Sequence, residues 1–497
     1  MFSANAQAAG FDLVNVSSRA LALAQKPYQA PPEVPDMLKS LSFDQWRDIR
    51  FRPEDALWRG QGSPFTVEFY HLGFLYNYPV AINTIESGQV RPIHFKPGLF
   101  DYGKTGLEGK VSPDAGFAGF RLHFPLNRKN YKDEVIAFLG ATYFRAVAKG
   151  GGYGQSGRGI AVNTALPSGE EFPLFREFWI RKPPRGASEI TVYALLDGPS
   201  LTGAYQFVIR PGRQTVVRVD ARLFLREPVE RLGIAPLTGM FLYGENTPVD
   251  KRPDDFRPEV HDCDGLSISL DRREWLWRPV VNPDRLLVNV FRVNALHGFG
   301  LLQRDENYDH YLDLEQHPER RPSVWITPRG EWGTGNVYLI QIPTTRESDD
   351  NIVTFWNPDR QPAPKEPYDI SYTMLWSPAK DLLPPLGYVT STQSVPAENG
   401  KLRFILEFNG PGLSERGSDT TLTPEISAPD GFQIEDVVVQ KNEMTSGWRL
   451  TFKVKSPEKP KVAQILPQKK EAVELRATLT QNGRPLTETW SYSFDEP

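Results

Sequence analysis

The sequence predicts an all-β protein in two parts, a large N-terminal β-sandwich followed by a C-terminal immunoglobulin-like β-sandwich. Three observations lead there. Short apolar or alternating runs recur along the chain, among them "FTVEFYH", "ITVYALLD", "YQFVIRPG", "TVVRVDARLFL", "VYLIQIP" and "IVTFW", and these have the length and period of strands. Clusters of turn residues separate them, drawn from 40 glycines and 44 prolines together with Asn and Asp. Finally, composition changes at "SPAKDLLPPLGYVTST", residues 377–392, which reads as a proline-rich linker. Nine of eleven tryptophans and all seven histidines precede residue 378. The tail instead carries short Thr/Val/Leu/Lys strands such as "KLRFILEFNG", "WRLTFKVKS" and "EAVELRATLT", in the number and spacing of an immunoglobulin-like domain. The expected division is therefore 1–377 for the large sandwich, which carries any chemistry, 378–392 for the linker and 393–497 for the small one.

One helix precedes the strands. In "FDLVNVSSRALALAQKPYQAPP", Leu13, Val16, Leu21 and Leu23 fall on one helical face, and Pro27 ends the segment. No strand–helix alternation of the dinucleotide-binding kind follows, and no fixed repeat.

Composition excludes several function classes. A length of 497 residues exceeds one ordinary core. The net charge of −4 supplies no field to gather nucleic-acid phosphates. No run of 18 apolar residues spans a membrane. One cysteine excludes an internal disulfide and any multi-cysteine zinc site. The opening "MFSANAQAAGFDLVNV" lacks the charged and apolar regions of a secretory signal, which leaves a cytosolic protein or an exported one whose signal has been removed.

The densest polar stretch is "EVHDCDGLSI", residues 259–268. His261, Asp262 and Asp264 are metal-ligand types, but a strand would put 262 and 264 on one face and 261 on the other, and no His-x-x-x-His pair completes a set. No metal and no cofactor is expected. Cys263 has no marked activating partner, so it reads as packing. The glycine-rich "GGGYGQSGRG", residues 150–159, lacks the Gly-Lys-Ser/Thr ending of a phosphate loop and reads as a mobile loop along a cleft.

Aromatics beside polar groups suggest a carbohydrate cleft. Trp179, Trp275, Trp277, Trp332 and Trp356 each stand beside Glu, Arg or Asn, the pairing that takes the apolar face and the hydroxyls of a sugar. Core filling is the competing use of each. Arg158 and Glu347 are the added polar candidates. Glycosidic cleavage also needs two carboxyl groups, and "HDCDG" and "TTRESDDNIV" are the pairs of neighbouring acids best suited to converge.

With those residues in view, the chain resembles the periplasmic glucan biosynthesis proteins G and D. The likeness runs nearly end to end, through "FAGFRLHFPLN", "SGRGIAVNTALPSGEEFPLFREFWI", "RPEVHDCDGLSI", "RPSVWITPRGEWGTGNVYLIQIPTTRESDDNIVTFW" and "ETWSYSF". The resemblance implies a mutarotase-like large sandwich, a periplasmic location and a role in making osmoregulated glucans with β-1,2-linked backbones. It implies either an anomer-inverting endo-β-1,2-glucanase or a transglycosylase closing the glucan into a ring. It places the general acid at the aspartate before "NIV", Asp350, and the base side at the aspartate after the histidine, Asp262. β-1,2-Glucan is the expected ligand, a membrane glucan synthase a candidate partner, and a homodimer is compatible with it. The rival class is a non-catalytic glucan-binding scaffold serving that synthase.

Overall fold

A computed structural model of the chain describes residues 10–270, 274–457 and 472–495. Strands dominate it, as the turn-punctuated runs predict. The chain divides into two compact units. The first takes Met1–Thr238, Ile326–Tyr338 and Phe355–Ser377, the second Gly239–Trp325, Leu339–Thr354 and Pro378–Pro497.

Two sheets make up most of the first unit. In one, Tyr368–Ser377, Thr215–Leu225, Leu201–Arg210, Ile190–Asp197 and Leu174–Arg181 run antiparallel in that order, and Leu174–Arg181 then pairs in parallel with Ala81–Glu86. The other orders Thr66–His71, Phe117–Phe124, Asp133–Leu139, Tyr143–Ala146 and Ser156–Arg158. Phenylalanines on the facing surfaces interlock between them. Phe207 lies 5.2 Å from Phe138 and 5.3 Å from Phe144, and Phe178 lies 5.1 Å from Phe120. Such edge-to-face contacts are favourable beyond the area they bury.

The expected helix is Leu13–Ala24, started by the Asp12 side chain, which accepts from the backbone amides of Val14 and Asn15. Its buried face, Val16, Ala20 and Ala24, packs on Trp179, Tyr193 and Phe224. The glycine-rich stretch is not a loop throughout, because Ser156–Arg158 is a buried strand. A Cβ at Gly157 would come within 2.8 Å of Met374 Cε and 2.9 Å of Phe144 Cζ. Close packing demands that glycine.

In the second unit the tail strands form the expected two-sheet sandwich. Tyr388–Pro396, Leu402–Asn409, Gly447–Lys455 and Gln433–Asn442 make one sheet. Thr423–Ser427, Ala472–Gln481 and Thr489–Asp495 make the other, and Phe404 joins the two at 5.7 Å from both Trp490 and Tyr492. The second sheet does not stop at residue 393, however. Thr489–Asp495 pairs in parallel with Trp275–Pro279, which continues through Gly265–Ser269 to Gly298–Leu302. The unit therefore groups 239–325 with the tail, a division different from 1–377 and 393–497. Backbone pairing between residues more than 200 positions apart leaves no trace in local composition.

Charge reinforces that junction. Glu488 is fully buried, and Arg304 meets its two oxygens at 2.6 and 3.0 Å while its guanidinium lies 3.5 Å from the Trp277 ring centre. Removing one partner of a buried pair strands the other charge. Arg304→Ala should lower unfolding free energy by about 3–5 kcal/mol, measured by urea titration, and adding Glu488→Gln should recover much of it. A loss under about 1 kcal/mol would mean that water already screens the pair.

Candidate active site

Asp262 and Asp350 both belong to the second unit, and one short backbone stretch positions them. Strand Phe241–Tyr243 pairs with Val260–His261, with Phe241 opposite His261. The pairing ends there because Asp262 turns back on Met240. Its amide donates to the Met240 carbonyl at 2.9 Å, and its Oδ1 accepts from the Met240 amide at 2.7 Å. The next amide, of Phe241, donates to Asn351 Oδ1 at 2.8 Å, and Asn351 Nδ2 donates to the Phe241 carbonyl at 3.0 Å and the Ile342 carbonyl at 3.1 Å. Consecutive amides thus hold Asp262 and the residue after Asp350.

A second asparagine braces the same loop, since Asn282 Nδ2 donates to the carbonyls of Leu242 at 3.1 Å and Thr344 at 2.8 Å. Asp350 is half-buried at the end of this braced loop. Its neighbour Asp349 is committed elsewhere, accepting from the Thr344 hydroxyl at 2.8 Å and pairing with Arg346 at 2.9 Å. The Thr344 hydrogen bond, with Arg346, holds the Asp349 carboxyl below its ordinary range. Glu347 is more than half exposed and pairs with Arg257 at 2.9 Å.

Cys263 directly follows Asp262 in the chain. It is fully buried, and burial foremost, with the charges of Asp262, Asp264 and Asp350 adding, pushes the thiol well above its usual range. The thiol itself is inert.

Behind Asp262 stands a network of charges that sequence reasoning missed. His261 and Asp264 converge at 3.3 Å, contrary to the expectation that they face apart. The strand stops at His261, so alternation no longer applies beyond it. His261 Nε2 also meets Glu259 Oε2 at 2.7 Å and its Nδ1 meets Gln303 Oε1 at 3.1 Å. Burial alone would push the imidazole down, but Glu259 and Asp264 hold it up at about 9, so it is a cation at neutral pH. Burial chiefly pushes Asp264 up to about 6 and Glu245 up to about 8. Glu259, Asp305 and His310 each offer a donor atom within 4.8 Å of one another. Glu259 is already bonded to His261 and His310 to Asp305 at 2.5 Å, so the donors are engaged and no metal is assigned to them. A cavity of about 340 Å³ lined by Phe241, Glu245, His261, Asp264, Trp277 and His310 adjoins this network.

The tryptophans separate into two groups. Trp179 and Trp356 are fully buried in the first unit, where they cannot stack on a ligand. Trp332 is half-buried in that unit and packs 5.1 Å from Trp356. Arg158 is also structural: it is 2% exposed, bonded to Glu170 at 2.7 Å and flanked by the Tyr143 and Phe172 rings at 5.0 Å. Trp275 is half-buried against Trp325 at 5.3 Å, and Trp277 lines the cavity in the second unit. Alternating aromatic and polar residues mark a sheet face as readily as a sugar platform, and for Trp179 and Trp356 the sheet face is what they mark.

Comparison with known proteins fixes the lineage. The family model described as "Periplasmic glucan biosynthesis protein, MdoG" matches residues 11–494. The chain belongs to this MdoG family. Its relatives include the "Glucans biosynthesis protein G" of Ralstonia nicotianae, 46% identical over 501 residues and covering 98% of this chain and 97% of that protein. Proteins of the same description from Pseudomonas paraeruginosa and Pseudomonas aeruginosa are 42% identical over 500 residues, covering 97% of this chain and 93% of each. Membership places this MdoG-family chain in periplasmic glucan biosynthesis, and among its described residues no helix is long and apolar enough to cross a membrane.

The charge network sets a pH dependence. His261, Asp264 and Glu245 all bind their protons more tightly folded than unfolded, since each is held above its ordinary value. Their contribution to stability is complete below the unfolded values and is lost as pH rises through the folded ones. Thermal midpoints should therefore fall between about pH 4 and about pH 9, and Glu245→Gln should flatten the part of that fall below about pH 8. A midpoint that rises over this range would contradict the assignment.

Proposed function

We propose that the protein is a glucan-acting enzyme that cleaves β-1,2-linked glucan with inversion at the anomeric carbon. The product is either a hydrolysed chain or a new linkage, according to whether water or a sugar hydroxyl is the acceptor. Asp350 is the general acid that protonates the leaving oxygen. Asp262 is the base that draws the proton from the nucleophile, directly or through water. One observation carries this reading: backbone amides of adjacent residues hold the two acid-bearing segments. Glycosidic cleavage needs such a pair of fixed carboxyl groups on rigid supports.

The loop chemistry supports Asp350 over its neighbour. Asp349 is already paired with Thr344 and Arg346, and a carboxylate stabilised in its charged form is a poor proton donor. Trp275, half-buried, supplies aromatic surface in the same unit.

Incubation with linear β-1,2-glucan and separation of the products tests the activity directly. Asp350→Asn should reduce the rate by about 10²–10⁴-fold with glucan binding retained. Asp262→Asn should be comparably damaging, and Asp349→Asn much milder. Glucan bound but never cleaved, or an Asp350→Asn variant of normal rate, would leave a binding scaffold for a synthase as the function.

A further inference from the structure

The first unit contains a cleft that the paired acids do not use. It holds about 560 Å³ and is bounded by the helix Phe43–Asp48, residues 49–54 and strand Thr66–His71. One wall is aromatic, with Trp46 and Tyr70 nearly parallel at 6.4 Å. Arg47, Arg50, Arg52 and Arg121 line it against the acids Glu54 and Asp101. Arg121 is fixed in place by Glu68 at 2.7 Å and Glu134 at 2.9 Å, with its guanidinium 5.4 Å from the Tyr70 ring centre. Arg50 reaches Asp48 at 3.4 Å. Among the described residues, Arg47 and Arg52 have no ion-pair partner.

His71 stands beside the same cleft with its imidazole enclosed among aromatic rings. It lines the cleft and is only 2% exposed. Its Nδ1 lies 2.6 Å from the Leu72 carbonyl, so Nδ1 must carry the proton and Nε2 must be a lone-pair acceptor. That acceptor has no hydrogen-bond partner among the described residues. Phe95, Phe100 and Tyr102 stand edge-on around the ring and hold its orientation. Burial also lowers its proton affinity, in keeping with a neutral imidazole.

We propose that this cleft binds a saccharide carrying an acidic group, a phosphate or a carboxylate. Each component matches one part of such a molecule. The Trp46 and Tyr70 rings take an apolar sugar face. The unpaired arginines take the anion, for which guanidinium geometry is suited. Glu54 and Asp101 accept from hydroxyls. A bare anion would leave the aromatic wall unused, and a neutral sugar would leave the arginines uncompensated. The assignment stands whether or not Asp262 and Asp350 cleave glucan.

Calorimetric titration of the full chain with glucose 6-phosphate, glucuronate, glucose and inorganic phosphate tests it. At least one acidic sugar should bind saturably, about 10-fold or more tighter than either glucose or phosphate, since a charge-assisted hydrogen bond contributes about that factor. Preference for glucose 6-phosphate or for glucuronate identifies the acidic group. The R47Q/R52Q double variant should lose that preference, while Arg128→Gln, an exposed arginine outside the cleft, should keep it. Arg47 is exposed and Arg52 half-buried, so both changes spare the core. Phosphate binding as tightly as its sugar ester, no saturable binding of either acidic sugar, or affinities unchanged in R47Q/R52Q would each overturn the proposal.

Discussion

The amides of Met240 and Phe241 are the constraint on which the candidate site depends. One donates to Asp262 Oδ1 and the next to Asn351 Oδ1, so two loops remote in sequence share a single rigid support. The bond to the charged Asp262 contributes about 1.5–3 kcal/mol and the one to the neutral Asn351 carboxamide about 0.5–1.5 kcal/mol, and their geometry matters more here than their sum. If this stretch slides by one residue, alternation reverses and both acid-bearing segments lose their anchors. Asn282 guards against this by tying Leu242 to Thr344. The acids themselves are on loops, but the loops are pinned to a strand.

The environment behind Asp262 gives the site its electrostatic character. His261 is buried as a cation among Glu259, Asp264 and the more distant Glu245. Burying so many ionisable groups is costly unless they pair. Here each carboxylate has a named donor: His261 for Glu259, the Asp305 amide for Asp264, and the Ser391 hydroxyl and Thr392 amide for Glu245. The network thus links the 259–264 turn to residues 305 and 391–392 within one compact unit.

Local pattern made much of this legible. Alternating runs with Gly and Pro between them announced the strands, and Asp12 with the Leu13–Leu23 periodicity announced the helix. "HDCD" and "DDNIV" marked the acid-bearing turns by their density alone. What could not be read was which strands pair across distance. Thr489–Asp495 joins Trp275–Pro279, and nothing in either segment names the other. Face assignments failed where regular structure ends, as at His261. Trp179 and Trp356 face a core, and a tryptophan in a strand has the same neighbours in sequence whether it faces a ligand or a core. Asn351 was visible as part of a motif, but its role as a clamp follows only from the Phe241 backbone it binds.

The paired-acid reading commits to a stereochemical outcome, and that is its most direct test. A nucleophile activated by Asp262 while Asp350 protonates the leaving oxygen attacks from the face opposite the departing sugar. Proton NMR of the first turnovers on linear β-1,2-glucan, recorded before mutarotation, shows which anomer forms. Inversion between Asp262 and Asp350 predicts an α-configured new centre from the β-linked substrate. A β-configured first product would contradict it and require a covalent intermediate on one of the carboxylates.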